Sequence, residues 1–364
     1  METAESEIIM KITLEKTKNP LPKPDLSKSL PFGHYFTDHM FMMSYDPKNG
    51  WHDAKITPFQ NLSISPAAMI FHYGQEVFEG LKAYRTASGK IQLFRPEMNA
   101  RRAMQSNERL CIPELSEEDF VQAVKSLVKV DADWIPNQKD ASLYIRPFFI
   151  ATDECLGVKV AQNYLFIILL SPSGPYYAHG LKPVSIMVED RYVRAFQGGT
   201  GAAKTSGNYA ASLIGQRGAY HQGYDQVLWL DGIEHRYIEE VGAMNIFFKI
   251  DGKVITPELD GSILAGITRD SIIQLCKSWQ VPVEERAITI DEIVESYQNH
   301  TLEEVFGSGT AAVISPVGKL CYKGLEMIIH QEETGPFSKK LYDTMTKIQR
   351  GEIEDIYHWT TPID

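Results

Sequence analysis

Lys204 stands alone among small residues in GGTGAAKTSGNYAAS, Gly198 to Ser212, where a glycine-rich loop runs into a helix-forming stretch. Tyr209 follows in the same segment, and Glu240 lies downstream in IEEVGAMN. A lysine is a useful nucleophile only when its pKa is lowered or its proton is removed, and it then forms Schiff bases with carbonyl groups. A lysine set among Gly and Ala, a phenol close by and a downstream carboxylate are the parts that a pyridoxal 5'-phosphate (PLP) site needs.

The same segment comes within one residue of a different chemistry. Gly198, Ala203, Lys204 and Thr205 fit the phosphate-cradling pattern G-x-x-x-x-G-K-[ST], except that Ala203 stands where the second glycine belongs. That position often needs a backbone conformation alanine reaches only at a cost. No later apolar strand ends in an aspartate with Walker B character. On composition alone, a solvated loop lysine is the simpler alternative.

At 364 residues the chain exceeds one ordinary core, so two domains are expected. Apolar residues at 43% and charged residues at 23% describe a globular protein rather than a disordered one. A net charge of −11 without any basic block argues against nucleic acid as a partner. No segment approaches the twenty or so consecutive apolar residues of a membrane span. The N-terminus has neither the basic region and long apolar stretch of a signal peptide nor an Arg-rich transit pattern, and a cytoplasmic protein is expected. Cys111, Cys155, Cys276 and Cys321 are far apart and form no C-x-x-C pair, which predicts reduced thiols and no metal site.

The elements that must position these residues follow from pattern. Residues 1 to 30 are polar and proline-dotted and read as an arm. Ser116 with Asp119 opens a helix running toward Val130, and Thr289 with Glu292 opens another. Ser142 to Ile150, Tyr164 to Leu170, Val184 to Glu189 and Gln226 to Leu230 read as strands. Asp251-Gly252 is a hairpin signal between Asn245–Lys249 and Val254–Thr256. Thr268 opens a helix toward Trp279, and Phe337, Leu341, Met345 and Ile348 share one apolar helical face. The strongest punctuation is SPSGPYY from Ser171 to Tyr177. It predicts a small N-terminal α/β domain over 1–170, an interdomain loop over 171–181 and a large C-terminal α/β domain over 182–364.

Taken together, the segments resemble a branched-chain amino acid aminotransferase of the fold type IV group of PLP enzymes. The stretches that carry the resemblance are FGHYFTDHM, PFQNLSISPAA, HYGQEVFEGLKAYR, LFRPEMNARR, SLYIRP, KTSGNYAAS, QVLWLDG, IEEVGAMN, LAGITRDSI and EVFGSGTAAV. They run in the family's order from about Phe32 to Gly351. The resemblance implies a mixed α and β fold in two domains, with PLP in the cleft between them.

By this resemblance Lys204 is the Schiff-base lysine and the proton shuttle between the substrate Cα and the cofactor's C4′, a base role that needs a lowered pKa. Glu240 is the carboxylate facing the pyridine nitrogen. Neighbours on a strand point to opposite faces, so only one of Glu239 and Glu240 can do so. Tyr209 is the phenol bonded to the 3′-oxygen. Arg102, Ile267, Thr268 and Thr310 are matched to the phosphate. The start of a helix and a glycine-rich GSGT turn suit an anion, and arginine supplies a planar donor fork. Arg101 is a rival to Arg102 that residue type alone does not dismiss. Phe32, Tyr73, Phe78, Tyr144 and Arg146 are matched to the substrate pocket, with Ala311 and Ala312 offering backbone N–H groups to its carboxylate. Tyr73 and Val158 are matched to positions supplied by a partner subunit, which implies a homodimer with sites completed across the interface.

The implied reaction is ping-pong transamination between leucine, isoleucine or valine and 2-oxoglutarate, giving branched-chain 2-oxo acids and L-glutamate. Two departures stand out. Ala312 and Ser315 occupy the places of a C-x-x-C found in mammalian relatives, so a thiol switch there is excluded. Ala243 replaces a threonine beyond the ring-nitrogen glutamate, which removes a hydroxyl. A D-amino acid aminotransferase or an aminodeoxychorismate lyase shares the lysine and the glutamate but lacks the long matches HYGQEVFEGLKAYR and LFRPEMNARR. A phosphotransferase using the near P-loop is the alternative from another class.

Overall fold

Strand-forming sequence dominates the computed structural model, which describes residues 10–25, 28, 30–138, 141–174 and 181–363. The chain divides into two units, Met1–Gly174 with Trp359–Asp364, and Pro175–His358. The elements of the first are β1 (Thr13–Leu14), β2 (His39–Asp46), β3 (Gly50–Pro58), α1 (Ile70–Tyr73), β4 (Glu76–Phe78), β5 (Leu81–Arg85), β6 (Ile91–Phe94), α2 (Pro96–Arg109), α3 (Glu117–Val130), β7 (Ser142–Ala151) and β8 (Tyr164–Ser173). Its sheet runs β1-β3-β2-β8-β7-β5-β6 and then takes in the chain's last strand, Thr360–Ile363, while β4 pairs with β7.

The buried positions of α3, Phe120, Ala123, Val124, Leu127 and Val128, recur at helical spacing and join Phe41, Phe149 and Phe166 of the sheet in one apolar core. Its first turn is capped as the sequence predicts, with Asp119 N–H donating to Ser116 Oγ at 3.0 Å. Such a cap contributes about 1 kcal/mol.

The second unit holds β9 (Val184–Glu189), α4 (Ser206–His221), β10 (Gln226–Leu230), β11 (Ile238–Val241), β12 (Met244–Ile250), β13 (Lys253–Thr256), α5 (Ile267–Ser278), β14 (Val283–Glu285), α6 (Ile290–Gln298), β15 (Leu302–Gly309), β16 (Val313–Tyr322), β17 (Leu325–Ile328) and α7 (Pro336–Gln349). The path β11-β10-β9-β16-β15-β12-β13-β14 is closed by a further pairing of β11 with β12. Thus β9, β10, β11, β12, β15 and β16 form a ring of pairings, and Leu228, Ile246, Phe248, Val305 and Leu320 belong to one buried cluster. The predicted apolar face of α7 is buried at Phe337, Leu341, Met345 and Ile348. Buried Glu304 fixes its start by accepting from Phe337 N–H and Ser338 N–H, both at 2.8 Å.

Asp251-Gly252 joins β12 to β13 with Ile250 opposite Lys253, as the hairpin signal predicts. Two boundaries differ. β8 runs through Ser171 to Ser173, because its backbone pairs with β7 out to Ser142 opposite Ser173, and pairing tolerates polar side chains that hydropathy reads as an end. The last strand pairs antiparallel with β6, Thr360 opposite Phe94, so the C-terminus belongs to the first unit rather than to 182–364. A four-residue strand carries too little pattern to name its partner. The interdomain loop expected over 171–181 falls outside the described residues at 175–180, as residues 1–9, 26, 27 and 29 of the N-terminal arm do.

Candidate active site

The loop after β9 delivers Lys204 to the start of α4. Asn208, in the first turn of that helix, reaches back and donates to Thr200 O at 2.7 Å and Ala203 O at 2.8 Å, while Thr200 Oγ1 donates to Asn208 Oδ1 at 2.7 Å. Gly201 is obligatory in this loop, since a Cβ there would lie 2.1 Å from Ser262 O. With its backbone tied down, half-buried Lys204 donates from Nζ to Tyr209 Oη at 2.9 Å. The first two candidates of the sequence are therefore in contact.

Glu240 is set by a two-residue hairpin between β11 and β12, where Gly242 takes φ of +57° and Glu240 falls opposite Asn245. Asn245 Nδ2 donates to Glu240 Oε1 at 3.2 Å and to Leu264 O at 2.9 Å, linking the carboxylate to the segment that leads into α5. On the other side Arg194 Nη1 stands 2.6 Å from Glu240 Oε2, with both side chains buried. Strand alternation sends Glu239 elsewhere, where its Oε1 accepts from Ser262 Oγ at 2.5 Å. Burial pushes the Glu239 carboxyl up to about 7; Asp260 and Glu240 add to the rise, and Ser262 and Arg194 oppose it.

Two backbone features of this unit suit an anion. α5 begins at Ile267, one residue before the predicted Thr268, and its N-cap Gly266 offers no side chain to the first N–H groups of the helix. The turn Thr310 to Ala312 leads into Val313 at φ of +63°, a conformation that costs a β-branched residue about 1–2 kcal/mol. Just before the turn, Ser308 Oγ is buried with no hydrogen-bond partner among the described residues. A polar atom so placed is satisfied by a bound polar group more readily than by solvent.

The remaining candidates sit on the first unit. Arg102 on α2 gives Nε and Nη2 to the two oxygens of Glu79, at 2.8 and 2.9 Å, and both residues are buried. Its rival Arg101 is exposed and pairs with Glu117 at 2.7 Å. Phe32, Phe78, Tyr144 and Arg146 form one cluster. Phe32 packs edge-on to Tyr144, with centroids 4.7 Å apart, and the Arg146 guanidinium lies 4.8 Å from the Phe78 centroid and donates to Tyr144 Oη at 3.0 Å. Tyr73 donates instead to Leu156 O and is 40% exposed, and Val158 is 80% exposed.

Arg194, Asn208 and Asn245 were not singled out by the sequence. Asn245 had a signal, since a two-residue hairpin places it across from Glu240; Arg194 had none, because no spacing ties it to β11. Among the described residues no group of three or more His, Cys, Asp or Glu side chains is arranged to hold a metal ion. No helix among them is long and apolar enough to cross a membrane.

Residues 76–320 match the family model for class IV amino-transferases. The chain is 55% identical over 354 residues to branched-chain-amino-acid aminotransferase 2 of Bacillus subtilis (strain 168), covering 97% of each. It is similar to the crystal structure of the Escherichia coli branched-chain amino acid aminotransferase at a TM-score of 0.76 and 28% identity, over 90% of this chain and 99% of that one. A T.th. branched-chain amino acid aminotransferase complexed with N-(5'-phosphopyridoxyl)-L-glutamate matches at a TM-score of 0.73 and 27% identity, over 90% and 98%.

Proposed function

The chain belongs to the class IV amino-transferases and is an aminotransferase for branched-chain amino acids; we propose that it works with PLP, alternates leucine, isoleucine or valine with 2-oxoglutarate, and acts in the cytoplasm as a homodimer. The observation that carries this reading is the Lys204–Tyr209 contact at 2.9 Å, an amine and a phenol held together at a helix start by the Asn208 brace.

The residues fit the cofactor. The uncapped start of α5 and the Thr310 turn suit its phosphate, and the orphaned Ser308 Oγ beside that turn is a polar atom in want of a partner. Arg102 is the proposed side-chain contribution, with Glu79 orienting its fork. PLP, when bound, supplies a carbonyl carbon for the substrate amine and a ring that accepts electrons from Cα. Lys204 Nζ would be the base that takes the proton from the substrate Cα. Tyr209 holds that amine in place and would donate to the cofactor's 3′-oxygen. Glu240 would face the ring nitrogen and keep a proton on it, with Arg194 Nη1 as the buried countercharge 2.6 Å from its Oε2. The cluster of Phe32, Phe78, Tyr144 and Arg146 offers apolar surface for a branched side chain and a cation for the glutamate side chain. N–H groups at Ala311 and Ala312 receive the α-carboxylate. Tyr73 and Val158 act in the partner's site.

The test is glutamate formation from 2-oxoglutarate with the L- and D-forms of leucine, isoleucine and valine. Turnover confined to the L-forms is expected. Turnover with the D-forms, or none with any of the six, overturns the reading.

A further inference from the structure

A cavity of the second unit, about 290 Å³, opens on the far side of β11 from Glu240. Its lining holds five carboxylates, Asp231, Glu234, Glu239, Glu258 and Asp260, and no lysine, arginine or histidine. Their roles differ. Asp231 is fully engaged in shaping its loop, accepting from the backbone N–H groups of Ile233, Glu234, Arg236 and Tyr237. Asp260 accepts from Ser262 N–H and Gln197 Nε2, and its Oδ1 lies 2.7 Å from Ser262 Oγ, whose single proton is shared with Glu239. Glu239 is the exception. Only 5% of its surface is exposed, yet of its two oxygens only Oε1 is bonded; Oε2 has no hydrogen-bond partner among the described residues.

A buried carboxylate oxygen without a donor is destabilising, and more so when ionised. A ligand that brings an N–H donor and a positive charge removes both costs. The apolar part of the lining, Phe196, Tyr237 and Ile263, suits the body of an organic molecule, and aromatic faces attract cations. With no metal-type grouping of ligands among the described residues, a bare metal ion is the poorer fit.

We propose that this cavity binds a small organic monocation of the guanidinium or ammonium type, with its N–H groups on Glu239 and its apolar body against Phe196. The proposal is independent of the transamination reaction. Binding depends on pH, because Glu239 must be ionised to hold the cation, and burial sets that ionisation near neutrality. The charged groups that bear on it are Asp260 and Glu240, which resist its ionisation, and Arg194, which favours it. Glu234, Glu258 and Asp231 line the same cavity.

Calorimetric titration of the purified full chain with n-butylguanidinium tests this, since that cation does not condense with an aldehyde as a primary amine does. Ionic strength is held constant throughout. One saturable site per chain is expected at pH 8, at least tenfold weaker at pH 5.5 and at least tenfold weaker in Glu239→Gln. Glu258→Gln, an exposed substitution that leaves the core alone, should weaken binding severalfold. No saturable binding at pH 8, or an unchanged Kd in a folded Glu239→Gln protein, overturns the proposal. If Glu239→Gln does not fold, an unchanged Kd in Glu258→Gln does so.

Discussion

Arg194 and Glu240 meet at 2.6 Å with both side chains almost wholly buried, so the carboxylate proposed for the ring nitrogen has its own cation within the fold. Removing one partner of a buried pair leaves an uncompensated charge and typically costs about 3–5 kcal/mol, whereas removing both costs far less. Arg194→Ala should therefore lower the urea midpoint of the cofactor-free protein sharply, and the double variant with Glu240→Gln should regain most of the loss. A double variant no more stable than Arg194→Ala alone would show that the pair is incidental.

Glu239 makes stability depend on pH. Folding raises its pKa from 4.5 to about 7, so the folded protein holds this proton more tightly than the unfolded chain does. The associated stability is complete below about 4.5 and is lost as the pH rises toward 7. Glu239→Gln never has to bury a charge. Compared with the unsubstituted protein it should gain about 2 kcal/mol more at pH 8 than at pH 5, within the linkage expected for such a shift. Urea unfolding at the two pH values measures the gap, and a gap of the reverse sign refutes the assignment.

On turnover the two glutamates should separate. A neutral amide at Glu240 cannot hold a proton on the ring nitrogen, so Glu240→Gln should lose at least about tenfold in kcat, or about 1.4 kcal/mol of barrier. Glu239 points away from that face and bonds Ser262, and Glu239→Gln should lose less. A larger loss in Glu239→Gln assigns the ring nitrogen to the wrong member of the pair.

Lys204→Ala removes the covalent anchor and the proton shuttle together, and activity should fall to background. PLP should still bind through its phosphate, without the absorption band of the lysine-bound form. Residual turnover near that of the unsubstituted protein would refute the role of Lys204.

What was legible in the sequence divides by the range of the interaction. Caps at Ser116 and Thr289, the Asp251-Gly252 turn and the apolar face of α7 are local patterns, and each lies where its residues place it. The Lys204–Tyr209 contact joins residues five apart, from the loop end into the first turn of α4, and was equally readable. Arg194 reaches β11 across the fold, and Glu79 reaches Arg102 from the short link between β4 and β5; spacing encodes neither. The pairing of the last strand with β6 joins residues more than two hundred positions apart, which is the kind of partner choice that hydropathy leaves open.

The last prediction concerns assembly. Tyr73 belongs to the first unit and Lys204 to the second, and Tyr73 and Val158 are 40% and 80% exposed on the single chain. An aromatic and an aliphatic side chain left so open fit the proposal that they complete a pocket in another copy. Tyr73→Ala and Lys204→Ala homodimers should then both be defective. When the two chains are mixed, both lesions of a heterodimer fall in one site: the Lys204→Ala chain's own site receives the Tyr73→Ala chain's truncated side chain. The other site combines an intact Lys204 with an intact Tyr73. Mixing under conditions of subunit exchange should therefore restore activity, approaching a quarter of the unsubstituted level for random pairing of equal amounts, since half the dimers would carry one good site of two. Exchange can be followed independently by native mass spectrometry. Activity that stays at the level of the unmixed variants, with exchange demonstrated, means that each chain completes its own site.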